Sequence, residues 1–307
     1  MISLVTGGCG FIGSHIVDRL VELGHQVRVI DDLSAPENEK FYYNDQAEYW
    51  NYDISKIDCG FIFNNVDYVF HLAARSRIQP TIGSPNECFE VNVVGTQRVL
   101  EWSRINSIKR VIYSGTSSLY GHKNKPPFNT YMSPECLNPY SLSKKMGEDI
   151  CKLYNDMYKL PSIVLRYFNV YGPREPLKGE YAPVIGLFKR RKKEDLPATI
   201  VSPGTQRRDF TYIDDVVSAN MLAMKSSTTD IPYNVYNVGT GKNYNMFEIV
   251  DMIYDKNDDN NEWSGCSFEM LPPRPAEVKE TLADIESTMK DLNWKPECAL
   301  EDKIMSY

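Results

Sequence analysis

Residues 2–14 read ISLVTGGCGFIGS, and this stretch decides the fold. The apolar run at 2–5 predicts a short buried strand, and a helix is expected to begin near residue 11. Glycines in the turn allow close approach of the backbone to a pyrophosphate and close packing of helix on strand. Free N–H groups at the start of the helix would attract the anion. The candidate contacts to a dinucleotide in this turn are Gly7, Gly10, Phe11, Ile12 and Gly13.

An ordinary glycine-rich turn is the alternative, and the next strand weighs against it. Residues 26–31, QVRVID, predict a second strand that ends at Asp31 and is followed by Asp32. An acid about 20 residues after the glycine turn bonds the adenosine ribose in dinucleotide-binding sheets. Because a carboxylate there repels a 2′-phosphate, NAD is favoured over NADP. Asp53 and Ile54 follow a third expected strand edge and are candidates for framing the adenine.

Up to residue 167 the sequence alternates short β-rich runs with helical runs. We predict strands near residues 2–6, 26–31, 67–72, 109–114 and 161–167, and helices near 11–23, 86–106 and 140–159. This alternation predicts an α/β fold, a Rossmann-like doubly wound parallel sheet with helices on both faces. Residues 1–167 are therefore expected to form the NAD-binding domain.

Beyond residue 168 the spacing becomes irregular and proline-rich, which predicts a smaller α/β substrate-binding region at 168–307. The stretch NVYNVGTG at 234–241 still predicts a buried strand. A segment near 205–240 is therefore expected to return to the main sheet. The polar run at 256–262 is expected to be a turn or mobile loop.

Composition limits the classes of partner. The chain has 307 residues, 42% of them hydrophobic and 24% charged, with a formal net charge of −7. A sequence pI near 5.3 gives no attraction to nucleic acid or to an anionic membrane, so neither is expected as a partner. The basic run KRRKK at 189–193 is followed by two acids and predicts a solvated helix end.

Cysteine and histidine usage indicates neither disulfides nor metal. The seven cysteines are odd in number and lack C-x-x-C spacing, and the four histidines lack ligand-like spacing. No amino-terminal apolar run is long enough for a signal or transmembrane segment. We therefore expect a cytoplasmic protein without a metal site.

Tyr140 and Lys144 lie one helical turn apart in NPYSLSK, residues 138–144. A free phenol has a pKa of about 10 and is a poor base at neutral pH. A cation one turn away can stabilise the phenolate. A surface helix with an unrelated tyrosine and lysine can have the same spacing. The pair therefore indicates a catalytic site only together with other motifs of the sequence.

Two such motifs are VIYSGTSSLYG at 111–121 and LRYFNVYGPR at 165–174. With the glycine turn and the Tyr140/Lys144 pair, the chain resembles the extended short-chain dehydrogenase/reductase family over nearly its whole length, specifically its nucleotide-sugar epimerases and dehydratases. The resemblance implies that Tyr140 is the catalytic acid/base and that Thr116 hydrogen-bonds a sugar oxygen. Lys144 would bind the nicotinamide ribose and lower the pKa of the tyrosine. The resemblance adds further cofactor contacts at Leu72, Ala73, Ala74, Asn92, Ser114 and Tyr167.

The same resemblance implies a UDP-sugar substrate. Asn169 would contact a substrate phosphate, and Arg208 and Arg274 would clamp the diphosphate, since a planar guanidinium makes paired bonds to phosphate oxygens. Surface salt bridges are the alternative for these arginines. Thr281 aligns with a gate position where a bulky tyrosine restricts some family members to unmodified hexoses. A threonine there implies room for UDP-N-acetylglucosamine and UDP-N-acetylgalactosamine as well as UDP-glucose and UDP-galactose.

The residues after Thr116 indicate the reaction. Dehydratases of the family carry an Asp-Glu pair there, and decarboxylases a glutamate at the second position, whereas this chain has Ser117 and Ser118. The resemblance therefore implies 4-epimerisation by tightly bound NAD through a 4-keto sugar. Arg77, after the HLAA strand, leaves open a UDP-uronate 4-epimerase, because it could pair with a sugar carboxylate.

Two other functions remain open, namely a nucleotide-sugar 4-ketoreductase with net redox and a non-catalytic dinucleotide sensor. The predicted helices at 86–106 and 140–159 carry apolar stripes as well as polar faces. Family members commonly pair such helices in a four-helix bundle, so the resemblance implies a homodimer.

Overall fold

The structure is a computed structural model that describes residues 1–35, 38, 40–56, 59–177, 182–227, 229–254, 268–275 and 277–307. The polar run at 256–262, predicted to be a turn or mobile loop, lies outside the described residues. No helix in the described part of the chain is long and apolar enough to cross a membrane.

The described strands divide into one central sheet and three short pairs. The central strands are β1 (Ile2–Thr6), β2 (Gln26–Asp31), β3 (Ala47–Asn51), β4 (Tyr68–His71), β5 (Arg110–Thr116) and β6 (Ser162–Tyr167). The later strands are β7 (Val170–Tyr171), β8 (Thr199–Val201), β9 (Arg207–Asp209), β10 (Thr211–Tyr212), β11 (Tyr233–Val238), β12 (Asn243–Asn245) and β13 (Glu269–Leu271). Of these later strands, β11 belongs to the central sheet.

The described helices alternate with the central strands and then continue through the second half. They are α1 (Phe11–Glu22), α2 (Ile78–Gly83), α3 (Pro85–Phe89), α4 (Thr96–Ile105), α5 (Pro139–Tyr158), α6 (Val184–Lys193), α7 (Ile213–Lys225), α8 (Met246–Ile253), α9 (Glu286–Leu292) and α10 (Leu300–Lys303). Short 3₁₀ turns span Gly60–Phe63 and Ser117–Tyr120, and a π-helical turn spans Glu90–Gly95.

The central sheet has seven strands in the order β3-β2-β1-β4-β5-β6-β11, and every pairing is parallel. The prediction of a Rossmann-like doubly wound sheet is therefore confirmed. The strand order reverses direction between β1 and β4. In such sheets ligands bind in the crevice at the carboxyl ends of the strands beside this reversal.

Two apolar cores cover the two faces of the sheet. Along β1, Leu4 packs in one core with residues of α4 and α5, and Val5 packs in the other with residues of α1 and α7. Successive side chains of a strand point to opposite faces, so a continuous apolar run is what a sheet covered on both sides requires.

The helix predicted at 86–106 is divided in the structure. A π-helical turn separates α3 from α4 and carries Asn92. The side chain of Asn92 accepts a hydrogen bond from Arg75 N at 2.7 Å and donates one to Arg75 O at 3.1 Å. Single π turns inside helices commonly occur at functional sites. This contact with a distant loop is the physical reason for the division, and apolar periodicity carries no signal of it.

The chain returns to the central sheet late. β11 pairs with β6 along its length, from Tyr233 opposite Ser162 to Val238 opposite Tyr167. The short pairs β7/β10, β9/β12 and β8/β13 come from residues after β6. The end of β6 coincides with the boundary expected at residue 167, and the division into two domains stays a prediction.

The basic run at 189–193 does not behave as a solvated helix end. Four of its side chains donate hydrogen bonds to backbone carbonyls of other segments. The pairs are Lys189 with Tyr307, Arg190 with Leu177, Arg191 with Pro197 and Lys192 with Ile253. The run therefore joins α6 to neighbouring segments, because long cationic side chains can satisfy carbonyls that lack a partner in a helix or strand.

Candidate active site

A cavity of about 780 Å³ opens at the carboxyl ends of the central strands. Its walls come from the glycine turn, the segments after β2 and β4, the end of β5 and the start of α5. Most of the sequence-predicted site residues line it, namely Gly7, Gly10, Phe11, Ile12, Gly13, Asp31, Asp32, Asp53, Ile54, Leu72, Ala73, Ala74, Arg77, Ser114, Thr116, Tyr140, Lys144, Tyr167, Asn169 and Arg274.

The glycine turn leaves no room for side chains at two of its positions. Gly7 has a φ of +73°, and a Cβ there would lie 2.8 Å from Ala73 N. A Cβ on Gly13 would lie 2.1 Å from the carbonyl oxygen of Gly7. At Gly10 the nearest atom to such a Cβ is that same carbonyl oxygen, at 3.5 Å. The turn thus keeps bare backbone beside the start of α1, which fits the pyrophosphate of NAD.

Asp31 ties the ribose end of the cavity to the glycine turn. One carboxylate oxygen accepts a hydrogen bond from Cys9 N at 2.9 Å, and the other accepts one from Leu33 N at 2.9 Å. Burial raises the pKa of Asp31, while these two backbone bonds lower it. A carboxylate oxygen can accept more than one hydrogen bond, so both can still receive ribose hydroxyls. The residues present therefore fit the adenosine half of NAD.

We predict that Gly13→Ala lowers the free energy of unfolding by about 1–3 kcal/mol and weakens NAD binding, because the new methyl group would push α1 away from the turn. Thermal unfolding and NAD titration would measure the two effects. Gly83→Ala is the matched control, since a Cβ at Gly83 meets nothing within 4 Å. Equal unfolding midpoints and NAD affinities in the two variants would contradict the role given to Gly13.

The start of α5 positions Tyr140. Asn138 caps the helix by accepting a hydrogen bond from Ser141 N at 2.8 Å, and Ser141 Oγ accepts one in return from Asn138 N. Pro139 occupies the first turn, where its missing N–H costs nothing. This double cap fixes the first turn of the helix, and with it the direction of the tyrosine side chain.

Tyr140 and Thr116 line the same cavity. Burial raises the pKa of Tyr140, whereas a hydrogen bond with Thr116 and the positive charge of Arg77 lower it. Thr116 ends β5, and its Oγ1 also donates to Ser118 Oγ at 3.1 Å. The tyrosine of α5 and the threonine that ends β5 therefore share one cavity.

Lys144 is a buried residue of α5. Its Nζ lies 4.1 Å from the centroid of the Tyr113 ring, a cation–π contact. Burial lowers the pKa of Lys144 to about 8. The expected effect of Lys144 on the pKa of Tyr140 stays a prediction, while the effect of Arg77 is one that the sequence analysis did not assign.

Of two further predicted cofactor contacts, Tyr167 lines the cavity and Asn92 does not. Tyr167 lines the cavity, and its hydroxyl lies 3.1 Å from Ser114 Oγ and accepts a bond from Asn220 Nδ2 at 2.9 Å. Burial raises the pKa of Tyr167 to about 12, so this hydroxyl stays neutral. Asn92 is 1% exposed and is not among the residues that line the cavity. Its amide holds the loop after β4 in place, and a direct cofactor contact stays a prediction.

A second cavity of about 260 Å³ adjoins the first, and both are lined by Arg77, Asn169 and Arg274. Arg208 lines this second cavity, and its guanidinium bonds Glu277 at 2.5 Å. Burial lowers the pKa of Arg208, which the charge of Glu277 partly offsets. The two predicted phosphate-binding arginines thus lie around the same pair of connected spaces.

Thr281 lies behind the wall of these cavities. It is 5% exposed, and its hydroxyl accepts hydrogen bonds from Asn169 Nδ2 and Asp209 N, each at 3.2 Å. It is not among the residues that line either cavity. An influence on substrate size would therefore act through Asn169, and the gate role stays a prediction.

Sequence reasoning missed several lining residues. Arg75, Ser34 and Glu87 line the first cavity, and the aromatic rings of Phe188 and Phe210 line the second. A cation directly after the HLAA strand was an available signal for Arg75. The aromatic residues lie in the irregular second half, where spacing gives no indication of a shared wall.

Among the residues that the structure describes, no cluster of three or more His, Cys, Asp or Glu side chains is placed to hold a metal ion. The parallel sheet, the glycine turn, the acid at the end of β2 and the tyrosine–threonine pair define a class of protein. It is an NAD-binding α/β enzyme whose tyrosine faces the cofactor cavity.

Comparison with known proteins identifies the family. The model of the NAD dependent epimerase/dehydratase family matches residues 3–239. The chain is 31% identical to the UDP-glucuronate 4-epimerase of Thermodesulfobacterium geofontis over 323 residues, covering 97% of this chain and 92% of that protein. The chain therefore belongs to the NAD dependent epimerase/dehydratase family.

Two solved structures resemble the whole chain. One is the UDP-glucose 4-epimerase of Thermotoga maritima with UDP-glucose, with a TM-score of 0.90, 32% identity, and coverage of 99% of this chain and 96% of that one. The other is the UDP-N-acetylglucosamine 4-epimerase of Methanobrevibacter ruminantium in complex with UDP-N-acetylmuramic acid. It has a TM-score of 0.88, 31% identity, and coverage of 98% and 95%. These three similar proteins are thus UDP-sugar 4-epimerases named for different sugars.

Proposed function

We propose that this protein catalyses NAD-dependent 4-epimerisation of UDP-glucose and UDP-galactose, and of the corresponding N-acetylhexosamine pair, through a transient 4-keto sugar. The observation that carries the proposal is that Tyr140 and Thr116 line the same cavity as the glycine turn. A base and a hydroxyl that share one cavity with a dinucleotide site can act on a single carbinol.

In the proposed reaction, Thr116 holds the sugar 4-oxygen and Tyr140 accepts its proton. NAD, held by the glycine turn and Asp31, would supply a reversible acceptor for the C4 hydride. Arg208 and Arg274 hold the diphosphate while the keto sugar turns its other face towards the cofactor. Tyr140 then returns the proton, and the configuration at C4 is inverted. The cofactor ends as it began, which favours NAD that stays bound between turnovers.

The floor of the site supports epimerisation over elimination. Ser117 and Ser118 follow Thr116 in a 3₁₀ turn, and Ser118 N donates a hydrogen bond to Thr116 Oγ1 at 3.2 Å. Hydroxyls at these positions cannot remove a C5 proton as a carboxylate would. A dehydratase or decarboxylase reaction therefore has no base at either position.

We predict that turnover of UDP-N-acetylglucosamine lies within about a hundredfold of UDP-glucose turnover, since Thr281 stays behind Asn169 and does not enter the cavity, where a bulky tyrosine would take up space. Initial rates on UDP-glucose, UDP-N-acetylglucosamine and UDP-glucuronate, measured with one enzyme preparation, would test this. A larger deficit on the acetamido sugar would contradict the broad specificity and leave the hexose reaction standing.

The uronate alternative depends on Arg77. This residue lines both cavities, and its charge acts on Tyr140, so a sugar carboxylate could reach it. If that alternative holds, UDP-glucuronate is the best of the three substrates and Arg77→Gln loses it selectively. A 4-ketoreductase would instead cause a stoichiometric change in nicotinamide absorbance. A non-catalytic sensor would give no product with any of the three sugars.

We also propose a homodimer formed through α4 and α5. Helix α5 exposes an apolar stripe of Leu142, Met146, Leu153 and Met157, at intervals of four, seven and four residues. Val94 and Ile105 are likewise exposed in and near α4, which packs against α5. Contiguous apolar patches of this kind commonly mark protein interfaces.

We predict that Leu153→Glu combined with Met157→Glu converts the dimer to a 35.2 kDa monomer. Each protomer would then bury two carboxylates in the interface, close to the same two carboxylates of its partner, and the like charges would repel. Sedimentation equilibrium at micromolar concentration would measure the mass. Met289→Glu combined with Met305→Glu is the matched control, since both methionines are exposed on other segments. A wild-type protein that sediments only as a monomer would contradict the dimer.

A cytoplasmic location is part of the proposal. It is supported by the free thiols of the described cysteines, which are the expected state in a reducing compartment.

A further inference from the structure

Arg75 connects two loops of the cofactor cavity. Its guanidinium donates a hydrogen bond to Ser34 Oγ, and its Nη2 lies 3.6 Å from Asp32 Oδ2. Both partners follow β2, whereas Arg75 follows β4. The same guanidinium also bonds Glu87 of α3, with Nε at 3.0 Å and Nη2 at 2.8 Å from the carboxylate oxygen. We call Asp32, Ser34, Arg75 and Glu87 the rim clasp.

The backbone of Arg75, from which the rim clasp extends, is held by Asn92. Asn92 bonds both the N–H and the carbonyl of Arg75, and its Nδ2 also donates to Ser143 Oγ at 2.9 Å. Ser143 belongs to α5 and bonds the carbonyl of Tyr140 at 2.8 Å. A buried amide with several partners leaves its backbone partner little freedom. The arginine therefore extends from a rigid anchor that is joined to the helix of the catalytic tyrosine.

The rim clasp crosses the adenosine end of the cavity. Its four residues line the same cavity as Asp31 and Asp53, the two acids assigned to the adenosine. A dinucleotide that enters or leaves between the loops after β2 and β4 must separate Arg75 from Asp32 and Ser34. These contacts thus stand in the path of the cofactor at this end.

We propose that Arg75 is a cofactor-retaining residue, which closes the rim clasp over the adenosine half of NAD and slows its release. A single exposed ion pair contributes about 0–1 kcal/mol to stability. The guanidinium of Arg75 has three partners and its backbone is held by Asn92, so opening the rim clasp breaks several contacts at once. A guanidinium also stacks on aromatic faces, and the adenine ring offers one. The proposal rests on NAD binding alone and is independent of which sugar is epimerised.

The test measures the release of a bound cofactor rather than turnover. Protein loaded with the fluorescent analogue 1,N⁶-etheno-NAD is mixed with excess NAD, and the fluorescence change gives the release rate. Arg75→Gln is expected to release the analogue roughly tenfold faster, a change equivalent to about 1.4 kcal/mol. Arg104→Gln is the matched control, because Arg104 forms an exposed ion pair with Glu101 away from the cavity.

Two further measurements separate the rim clasp from a general structural effect. Glu87 is half exposed, so Glu87→Gln should fold normally and release the analogue faster than wild type. The double variant should release it no faster than Arg75→Gln, since both changes open the same clasp. Affinity for ADP-ribose should fall in Arg75→Gln, whereas affinity for nicotinamide mononucleotide should stay unchanged.

Release from Arg75→Gln within twofold of wild type would overturn the proposal, as would additive effects of the two substitutions. An equal loss of affinity for ADP-ribose and for nicotinamide mononucleotide would overturn it too. If Arg75→Gln does not fold, Glu87→Gln and Arg75→Lys carry the same test, because lysine keeps the charge and loses the planar fork. Failure of epimerase activity with every sugar would leave these results unaffected.

Discussion

A Tyr140→Phe variant is expected to lose about 10²–10⁴-fold in epimerase turnover while it binds NAD as tightly as the wild type. The phenol is the proton acceptor in the proposed reaction, and a phenyl ring of the same shape has no group to replace it. Burial raises the pKa of Tyr140, so the phenolate fraction, and with it wild-type turnover, should rise as the pH increases above neutral.

The pH profile distinguishes a chemical role from a structural one. The residual activity of Tyr140→Phe should no longer follow the titration of a phenol, which a packing defect alone would not explain. Tyr131→Phe is the matched control, since Tyr131 is 90% exposed and is not among the residues that line either cavity. Turnover of Tyr140→Phe within tenfold of that control would remove Tyr140 as the acid/base.

The largest expected loss of stability comes from Glu148→Ala. Glu148 forms a two-bond ion pair with Arg166 at 3.0 and 2.7 Å, and both side chains are about 4% exposed or less. Arg166 also donates to Tyr120 OH at 2.9 Å. Removing the carboxylate leaves a buried guanidinium without its counter-charge. We expect the free energy of unfolding to fall by about 3–5 kcal/mol, measured by chemical denaturation.

The control lies on the same helix. Asp156→Ala removes an exposed partner of Lys152 on α5 and should cost about 0–1 kcal/mol. Glu148→Leu combined with Arg166→Met removes both charges and should recover most of the loss, because two apolar side chains need no counter-charge. A Glu148→Ala variant as stable as Asp156→Ala would show that solvent reaches Arg166.

Local signals predicted most elements of the first half of the chain, but not α2 or the division of the helix expected at 86–106. The glycine turn and the run QVRVID place β1, α1 and β2 with ends matching the structure to within one residue, because turn chemistry and apolar periodicity are encoded within a few positions. Asn138 and Pro139 likewise specify where α5 begins. The class of fold follows from these signals together with the alternation of strands and helices.

Features that depend on distant partners could not be predicted in the same way. The π turn contains Asn92, which bonds the backbone of Arg75 in a distant loop. Side chains of the basic run of α6 donate hydrogen bonds to the backbone carbonyls of Tyr307, Leu177, Pro197 and Ile253. The rim clasp needs two loops that are far apart in sequence. The family resemblance predicts a gate position at Thr281, and the structure shows its hydroxyl bonded to Asn169 and Asp209 N, away from the cavity lining.

The late return of β11 has a consequence for biosynthesis. While the ribosome is still making residues 168–232, the outer edge of β6 has no neighbouring strand, although its central residues Ile163, Val164 and Leu165 are apolar. An unpaired apolar edge can recruit the same edge of another nascent chain. A messenger RNA that delays translation within residues 168–232 should therefore yield more insoluble product than one that delays it after residue 238.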